Sequence, residues 1–343
     1  MNVWRRPAAW AAAALALSVV GGGAWAAGLL PGTTSCGGDR LRITIAAQPE
    51  IAPPLGDVAE RFNVEEHRVA GRCVHARIEP VSPTGYLSDM TVRATADAWV
   101  PESSLWLNVA REAGESAVPE FAAPVAATPV VFATSRPVEA EFRDADVEIS
   151  WRLLLDDEAG GLPLARTVAA PRTGMSGTIA MIAVDQVADD DAGDVAEALR
   201  ENAPGGPGGQ QGASTAVLAG LIDAERYARP LAVTTEQAVI AHNAAHRPNP
   251  LVGLMPAEGT LLLDHPYAVT AEDWNRRNAA EAFRAALATG TARGILHEAG
   301  FRAPDGTLAS AYADEHGLPE EPPPSLRLPT PEEIEDALTS WEG

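Results

Sequence analysis

Small hydroxyl residues recur at three predicted helix starts, each directly after an apolar, strand-like run. The three segments are residues 101–106, 174–178 and 234–243. A helix start has unpaired backbone N–H groups and the positive end of the helix dipole, so it can hold an anion or another polar group. Several such starts from distant parts of one chain predict a cleft that binds a small molecule. The sequence around them contains no nucleophile, base or metal cluster, which favours binding over catalysis.

The candidate ligand contacts are residues of these helix starts, together with polar residues near the ends of predicted strands. They are Gln48, Glu50, Ser103, Ser104, Thr128, Ser176, Gly177, Thr178, Thr235, Glu236 and Gln237. Gly174 and Gly177 would let backbone N–H groups approach a ligand closely. The alternatives are structural, because hydroxyl groups also cap helices at about 1 kcal/mol each. In the same way, the glycines would permit a tight turn, and Gln48 and Glu50 would lie in a solvated one.

Two carboxylates bear on the chemistry of the ligand. Glu236 opens the third predicted helix, and Glu258 lies in the segment Pro256-Ala257-Glu258-Gly259-Thr260. Near a cleft, these side chains would favour a ligand with a cationic or hydroxyl-rich part over a bare oxyanion. The alternative is that either carboxylate locks the hinge instead.

Metal binding and catalysis have little support in the sequence. His242 and His246 lie one helical turn apart and could share a zinc ion, but the zinc-protease pattern needs glutamate where Asn243 stands. No third ligand is evident nearby, and no Gly-x-Ser-x-Gly motif or histidine-paired thiol occurs. We therefore expect no catalytic residue, no metal ligand and no cofactor.

The elements that would position the candidate residues predict an α/β fold. Residues 41–47, 73–81 and 96–101 have the pattern of strands, and residues 51–62 carry apolar side chains at helical spacing. This order predicts parallel βαβ units with right-handed crossovers. Ligands of such sheets bind beyond the carboxyl ends of the strands, which is where Gln48, Ser103 and Ser104 would lie.

Two later apolar runs predict crossover strands between two lobes. The first covers residues 125–135, and the second covers residues 249–255 and continues at 261–263. The predicted division puts lobe 1 at residues 40–130 and 253–320, and lobe 2 at residues 131–252.

The N-terminus has the features of an export signal. Arg5 and Arg6 precede an apolar run over residues 8–30, within which Ala24-Trp25-Ala26 fits a small-x-small cleavage site. The run is also long enough to span a bilayer if it is left uncut. Residues 1–30 are therefore a signal peptide or a membrane anchor, and both alternatives predict that the rest of the chain is extracytoplasmic.

The two cysteines, Cys36 and Cys73, agree with an oxidising compartment. A pair of this kind predicts a disulfide bond between them. The alternative is lipid attachment at Cys36, which is disfavoured because residues 33–35 lack the apolar residue usual three places before a lipidated cysteine.

Residues 318–343 differ from the rest of the chain in composition. Residues 319–324 are rich in proline and predict a stiff, extended linker. Thr330, Pro331 and Glu333 then predict a short C-terminal helix that begins with a capping box. A linker followed by one short helix predicts that a longer architecture normally continues there.

Composition bounds the class of protein. The chain has 343 residues and a formal net charge of −22, and all 25 of its basic residues are arginines. An excess of negative charge repels phosphates and argues against nucleic-acid binding. A hydrophobic content of 46% suffices for a large core in two lobes, and we expect a monomer.

Three segments carry a resemblance to a known family. They are Ala98-Trp99-Val100-Pro101-Glu102-Ser103-Ser104-Leu105-Trp106, Thr235-Glu236-Gln237-Ala238-Val239, and residues 256–260 with Asp264-His265-Pro266-Tyr267. In these segments the chain resembles extracellular solute-binding proteins of the type II periplasmic-binding fold, and in particular the actinobacterial domain found upstream of von Willebrand factor type A domains. The resemblance covers residues 36–306 and implies two α/β lobes that close on a ligand. The Asp-x-Ser-x-Ser motif of a type A domain does not occur in the sequence.

The resulting hypothesis is a non-catalytic, extracytoplasmic protein that captures a small polar ligand between two lobes by hinge closure. Its other partner would be a membrane transporter or a component of the cell envelope. The alternative hypothesis is a cell-envelope protein-interaction module with a vestigial cleft. Stabilisation by a small solute would distinguish the first hypothesis from the second.

Overall fold

The structure is a computed structural model that describes residues 40–187, 196–197, 199–200, 213–223, 228–248 and 250–341. The predicted export segment and Cys36 lie outside the described residues. Within these ranges, none of the helices combines the length and the apolar character needed to cross a bilayer.

The described chain alternates between short strands and helices. The strands are β1 (Arg40–Ala47), β2 (Arg68–Val69), β3 (Arg72–Pro80), β4 (Ala98–Val100), β5 (Thr128–Ser135), β6 (Glu158–Ala159), β7 (Leu162–Pro163), β8 (Ala165–Thr167), β9 (Pro230–Thr235), β10 (Leu251–Leu254), β11 (Leu262–Leu263) and β12 (Ala268–Val269). The helices are α1 (Ala52–Val64), α2 (Pro83–Ser88), α3 (Met90–Thr95), α4 (Leu105–Glu112), α5 (Arg136–Asp144), α6 (Met175–Val187), α7 (Ala213–Asp223), α8 (Glu236–Ala245), α9 (Trp274–Leu287), α10 (Gly290–Glu298), α11 (Ser310–His316) and α12 (Pro331–Ser340). A 3-10 turn covers Trp151–Leu154.

The first sheet has the strand order β12-β4-β1-β3-β2. Its central strand β1 pairs in parallel with β3 and with β4, and the edge strands β2 and β12 are antiparallel. Helix α1 begins with prolines in its first turn and buries Leu55, Val58 and Phe62 in the same core cluster as β1. The predicted strands, the helix and the parallel βαβ order are therefore confirmed in this part of the chain.

The second sheet has the order β10-β5-β9-β8, with β11 paired to the other end of β5. The long strand β5 is antiparallel to β9, β10 and β11, whereas β8 and β9 are parallel. The two apolar runs predicted as crossovers thus form neighbouring strands, because β5 comes from the first run and both β10 and β11 come from the second. A third, two-stranded sheet joins β6 and β7.

Aromatic side chains from both sheets share the largest core cluster. Trp99 and Trp106 come from the β4–α4 region, and Phe132 and Trp151 come from β5 and the 3-10 turn. All four are at most 2% exposed. The tryptophans beside the first predicted helix start therefore fill the core.

The C-terminal segment returns to the body of the protein. Thr260 donates its backbone N–H to the Pro324 carbonyl at 2.9 Å and accepts the Leu326 N–H at 3.0 Å. Helix α12 begins at the predicted capping box, in which Thr330 and Glu333 exchange side-chain and backbone hydrogen bonds. Its buried residues Ile334 and Leu338 join the largest core cluster, which also contains the buried side of α6.

Candidate ligand-binding site

Loops from the two sheets meet around one small cavity. It has a volume of about 10 Å³, which is room for about one water molecule. Gln48 and Glu50 follow β1 and Glu102 follows β4, so one wall lies beyond the carboxyl ends of two parallel strands, as the sequence predicts for a ligand. The ten lining residues are Gln48, Glu50, Glu102, Thr128, Ser214, Thr235, Gln237, Leu263, His265 and Phe301.

The side-chain amide of Gln48 lies between two carboxyl groups. Its Nε2 donates to Glu50 Oε2 at 2.8 Å and, over a longer distance of 3.5 Å, to Glu102 Oε2. Gln48 is 1% exposed, and its Oε1 has no hydrogen-bond partner among the described residues. The backbone N–H of Gln48 donates to the Val100 carbonyl at 2.8 Å, which fixes the loop after β1 against the end of β4.

Glu102 reaches from the loop after β4 to the start of α6. Its Oε1 accepts the backbone N–H of Met175, the first residue of that helix, and the indole N–H of Trp106 at 3.1 Å. Burial raises the pKa of Glu102 to about 7, and the two hydrogen bonds oppose this rise. The start of α6 was predicted to hold a ligand, and in the structure it holds a carboxyl group of the protein itself.

Glu50 makes a parallel contact with the start of α7. The backbone N–H groups of Glu50 itself and of Thr215 stabilise its carboxylate, as does the Gln48 amide. Burial outweighs these contacts, and together with the nearby charge of Glu102 it raises the pKa of Glu50 to about 8. Each of the two carboxyl groups therefore meets the N-terminus of a helix that belongs to the other side of the cavity.

His265 completes the wall on the side of Phe301. The two rings meet edge to face, with their centroids 5.1 Å apart. Burial lowers the pKa of His265 to about 3, and the Pro101 carbonyl only partly opposes this shift, so the imidazole is neutral. Neither ring nitrogen makes a well-formed hydrogen bond to the described residues, although the side chain is 2% exposed.

The opposite wall contains hydroxyl and amide groups that are already engaged. Thr128 Oγ1 accepts the backbone N–H of Gln237 at 3.0 Å, and Thr235 Oγ1 caps α8 by accepting the Ala238 N–H at 3.2 Å. Gln237 Nε2 donates to the Ala299 carbonyl at 3.1 Å. These residues line the cavity, and their hydrogen bonds give the wall a defined shape.

Six predicted contact residues do not line the cavity: Glu236, which is described below, and five residues near the starts of α4 and α6. Ser103 Oγ accepts the Leu105 N–H at 3.3 Å, and the Ser104 N–H donates to Asp264 Oδ1 at 2.7 Å, so both organise the start of α4. Thr178 Oγ1 donates to the Pro171 carbonyl at 3.1 Å. Ser176 is fully buried, and its hydroxyl has no partner among the described residues. Gly177 packs against the loop before α6, since a Cβ there would lie 2.0 Å from the Ala169 carbonyl oxygen.

Glu236 and Glu258, for which the sequence leaves open a ligand contact or a hinge lock, both bind other groups of the protein. Glu236 accepts two hydrogen bonds from Arg302 at 2.7 and 2.8 Å, and the two side chains are 6% and 0% exposed. Glu258 accepts hydrogen bonds from the Ser150 hydroxyl and the Trp151 N–H. These contacts favour the structural alternative for both residues.

Five of the lining residues are not among the contacts predicted from the sequence; they are Glu102, Ser214, Leu263, His265 and Phe301. Glu102 had a usable signal, because it stands closer to the end of β4 than the serines that were selected. His265 lies in one of the three family-like segments. Ser214 and Phe301 follow no local pattern, since only the packing of distant loops brings them to the cavity.

The described residues contain no group of three or more His, Cys, Asp or Glu side chains arranged to hold a metal ion. His242 and His246 stack face to face, with centroids 4.3 Å apart and an interplanar angle of 9°. Cys73 is buried at the start of β3. Its predicted bond to Cys36 remains a prediction, because Cys36 lies outside the described residues.

A two-lobed α/β fold with a polar cavity between loops of its two sheets defines the class of periplasmic binding proteins. The family of bacterial extracellular solute-binding proteins matches residues 43–302, and the chain belongs to this family. A comparison with curated proteins found no match.

Solved structures of periplasmic binding proteins share the fold, which is the two-lobed type II fold predicted from the sequence. A periplasmic thiamin binding protein superposes with a TM-score of 0.62 at 13% identity, over 91% of this chain and 98% of that chain. A ferric binding protein from Campylobacter jejuni superposes with a TM-score of 0.61 at 13% identity, over 88% of this chain and 98% of that chain. A sulfate-binding protein from Mycobacterium tuberculosis H37Rv superposes with a TM-score of 0.56 at 20% identity, over 89% of this chain and 97% of that chain.

Proposed function

We propose that this solute-binding protein captures a small polar molecule in the cavity around Gln48 and His265 and passes it to a membrane transporter. Binding would be non-catalytic and would proceed by closure of the two lobes, at residues 40–130 with 253–320 and at residues 131–252. Residues 1–30 would direct export or tether the protein to the outer face of the membrane, and a Cys36–Cys73 disulfide would fasten the start of the folded region.

The observation that carries this proposal is the unpaired polar surface of the cavity. Gln48 Oε1 and both ring nitrogens of His265 are buried without well-formed hydrogen bonds to described residues. Leaving a buried polar group unpaired costs about 1–3 kcal/mol. A solute with matching donors and acceptors would remove this cost, and its differential affinity for the closed form would drive closure.

The small volume of the cavity bears on the mechanism of entry. A space of about 10 Å³ holds about one water molecule, so a larger solute requires the two walls to separate first. The walls come from different sheets, and we place the hinge at β5, β10 and β11, which pair with one another in the second sheet. Movement about these strands is the hinge motion expected of the type II fold.

The finer relationship suggested by the sequence belongs to this proposal as well. We place the chain in the actinobacterial group whose binding domain precedes a von Willebrand factor type A domain, on the strength of residues 98–106, 235–239 and 256–260. Trp99, Trp106 and Glu102 in the first of these segments support the largest core and the cavity wall. Such a protein would act as a monomer that presents its solute at the cell envelope.

The test is a thermal-shift screen of the full chain against oxyanions, metal ions, sugars, amino acids and amines, followed by titration of the active compound. We expect one class to raise the melting temperature in a saturable way. Gln48→Ala should weaken the affinity about tenfold or more, corresponding to about 1.4 kcal/mol. Asn278→Ala is the matched control, because the side-chain amide of Asn278 donates to the Trp274 carbonyl of its own helix α9, outside the cavity. The proposal would be contradicted if no compound raised the melting temperature, or if Gln48→Ala left the affinity unchanged.

A further inference from the structure

We propose that the solute is a small organic ammonium ion, bound between the carboxylates of Glu50 and Glu102 with Gln48 Oε1 as a further acceptor. This inference rests on the proposed function, because it assigns a chemical class to the ligand of the same cavity. It differs from the binding of an anion at helix starts, which the hydroxyl-rich segments of the sequence suggest first.

The charges of the cavity wall oppose an anionic ligand. The described residues that line it include two carboxylic acids, Glu50 and Glu102, and no arginine, while His265 is neutral. An oxyanion would bring a negative charge next to these two acidic groups, in a site where water is largely excluded. Charge repulsion is several times stronger there than in bulk water, so this arrangement is unfavourable.

The protein already occupies the two positions where an anion would bind. The backbone N–H of Met175 at the start of α6 donates to Glu102, and the N–H of Thr215 in the first turn of α7 stabilises Glu50. An anionic solute would have to displace both carboxyl groups and leave them buried without these partners. A cation would keep both contacts and would add an ion pair to each carboxylate.

Gln48 shows the geometry that an ammonium group would use. Its neutral amide NH₂ donates to both carboxyl groups, at 2.8 and 3.5 Å. On binding, an ammonium group would take the place of this NH₂. It is a stronger, positively charged donor, so it would gain more from the same two acceptors. The buried Oε1 of Gln48, which has no partner among the described residues, supplies a third acceptor. Leu263 and Phe301 supply apolar surface for the carbon atoms of the ligand.

The arrangement fits a hydrogen-bonding cation better than a metal ion. A resident metal site is built from a set of three or more converging carboxylate, imidazole or thiolate ligands, and the described chain has no such set. Two carboxyl groups, an amide oxygen and a neutral imidazole instead offer separate acceptors to several N–H groups. The raised pKa values of Glu50 and Glu102 agree with this view, because burial without a compensating positive charge favours the protonated acids.

The experiment titrates the full chain at about pH 7.5 with ammonium, methylammonium, putrescine and spermidine. The comparison compounds are sulfate, phosphate, glucose, Mg²⁺, Zn²⁺ and choline, whose quaternary nitrogen has no N–H to donate. We expect at least one amine to raise the melting temperature saturably, while the other compounds leave it unchanged. Glu50→Gln and Glu102→Gln should each weaken amine binding about tenfold or more. Glu60→Gln is the matched control, since Glu60 is an exposed residue of α1 outside the cavity.

A calorimetric measurement keeps the inference testable if Glu102→Gln fails to fold. Titrations of the unaltered protein in two buffers with different ionisation enthalpies should reveal proton release on amine binding, because the cation displaces protons from the carboxyl pair. Gln48-dependent binding of sulfate, a sugar or a metal ion would leave the proposed function in place and overturn the ammonium inference. Binding of no compound at all would overturn both.

Discussion

At the scale of single residues, the cavity depends on the hydrogen bonds of two carboxyl groups, of which Glu102 is buried and Glu50 is half-buried. Glu102 receives an amide N–H from α6 and an indole N–H. Glu50 receives the Gln48 side chain at Oε2, whereas its Oε1 has no well-formed hydrogen bond to the described residues. A buried charge without such partners would cost several kcal/mol. Even with them, the pKa of each group stays above its ordinary value, so each carboxyl group binds its proton more tightly than it would in water.

The first prediction concerns the stability of the unliganded protein as a function of pH. The folded state has pKa values of about 8 for Glu50 and about 7 for Glu102, against 4.5 for an ordinary glutamate. The folded state therefore binds more protons than the unfolded state at intermediate pH, and this stabilisation is fully present below about pH 4.5 and is lost as the pH rises through 7 and 8. We expect the melting temperature to fall by about 3–6 °C between about pH 5 and pH 8.

Charge-removing variants check that these two groups cause the change. The groups that face them are Gln48, neutral His265 and the amides of α6 and α7, so Glu50→Gln should flatten the profile of melting temperature against pH. Glu60→Gln should leave the slope unchanged. A melting temperature that rises from pH 5 to pH 8, or a Glu50→Gln profile as steep as that of the unaltered chain, would contradict the assignment.

At the scale of elements, α6 is a helix enclosed by the protein rather than an amphipathic surface helix. Every residue from Met175 to Val184 is buried. A helix that is apolar on all sides belongs in a protein interior. Its first turn passes so close to the preceding loop that a side chain on Gly177 would meet the Ala169 carbonyl oxygen at 2.0 Å. This close approach sets the position of the Met175 N–H that Glu102 contacts.

The second prediction uses this close approach. Gly177→Ala should destabilise the protein by about 1–3 kcal/mol, because the added methyl group overlaps backbone atoms that cannot move independently. It should also weaken solute binding, since the start of α6 must shift relative to Glu102. The matched control is Gly220→Ala in α7, where a Cβ would have no neighbour within 4 Å. That change should stabilise the protein by about 0.5–1 kcal/mol. Urea unfolding of both variants measures the difference, and equal effects would refute the packing argument.

Local patterns predicted most elements but only part of the site. Alternation in residues 41–47 and the capping box at Thr330 are properties of neighbouring residues, and the structure contains both. The contact between Glu102 and Met175 joins residues 73 positions apart and depends on how two loops pack. Hydroxyl residues at helix starts indicated ligand contacts, yet the hydroxyl groups of Ser103 and Thr178 form hydrogen bonds with backbone groups of the protein. A local pattern alone cannot tell these two uses apart.

At the scale of the whole molecule, one buried arginine links the region of the cavity to the C-terminal segment. Arg302 pairs with Glu236 at the start of α8, next to the cavity residues Thr235 and Gln237. Its remaining N–H groups donate to carbonyl groups of Gly306, Pro319 and Glu321, at 3.0 to 3.2 Å. The proline-rich segment is therefore held against the body at this point.

The C-terminal helix extends this attachment to α6. Ile334 is 2% exposed and lies with Ala337 and Leu338 in the same core cluster as Met181 and Ile182 of α6. A hydrogen bond also links α6 to the segment before α12, since Gln186 of α6 donates to the Arg327 carbonyl. Because the opposite end of α6 holds Glu102, the C-terminal helix braces an element that forms part of the cavity.

The third prediction tests this brace. Ile334→Ala should destabilise the protein by about 2–4 kcal/mol, through lost burial and the cavity left beside α6. Glu335→Ala changes an exposed neighbour on the same helix and should have little effect. Limited proteolysis should cut the Ile334→Ala chain first between residues 318 and 330, because release of α12 frees this largely exposed segment to enter a protease active site. If α12 braces α6, the same variant should also weaken solute binding. Unchanged affinity, despite earlier proteolysis, would restrict the role of the C-terminal helix to stability.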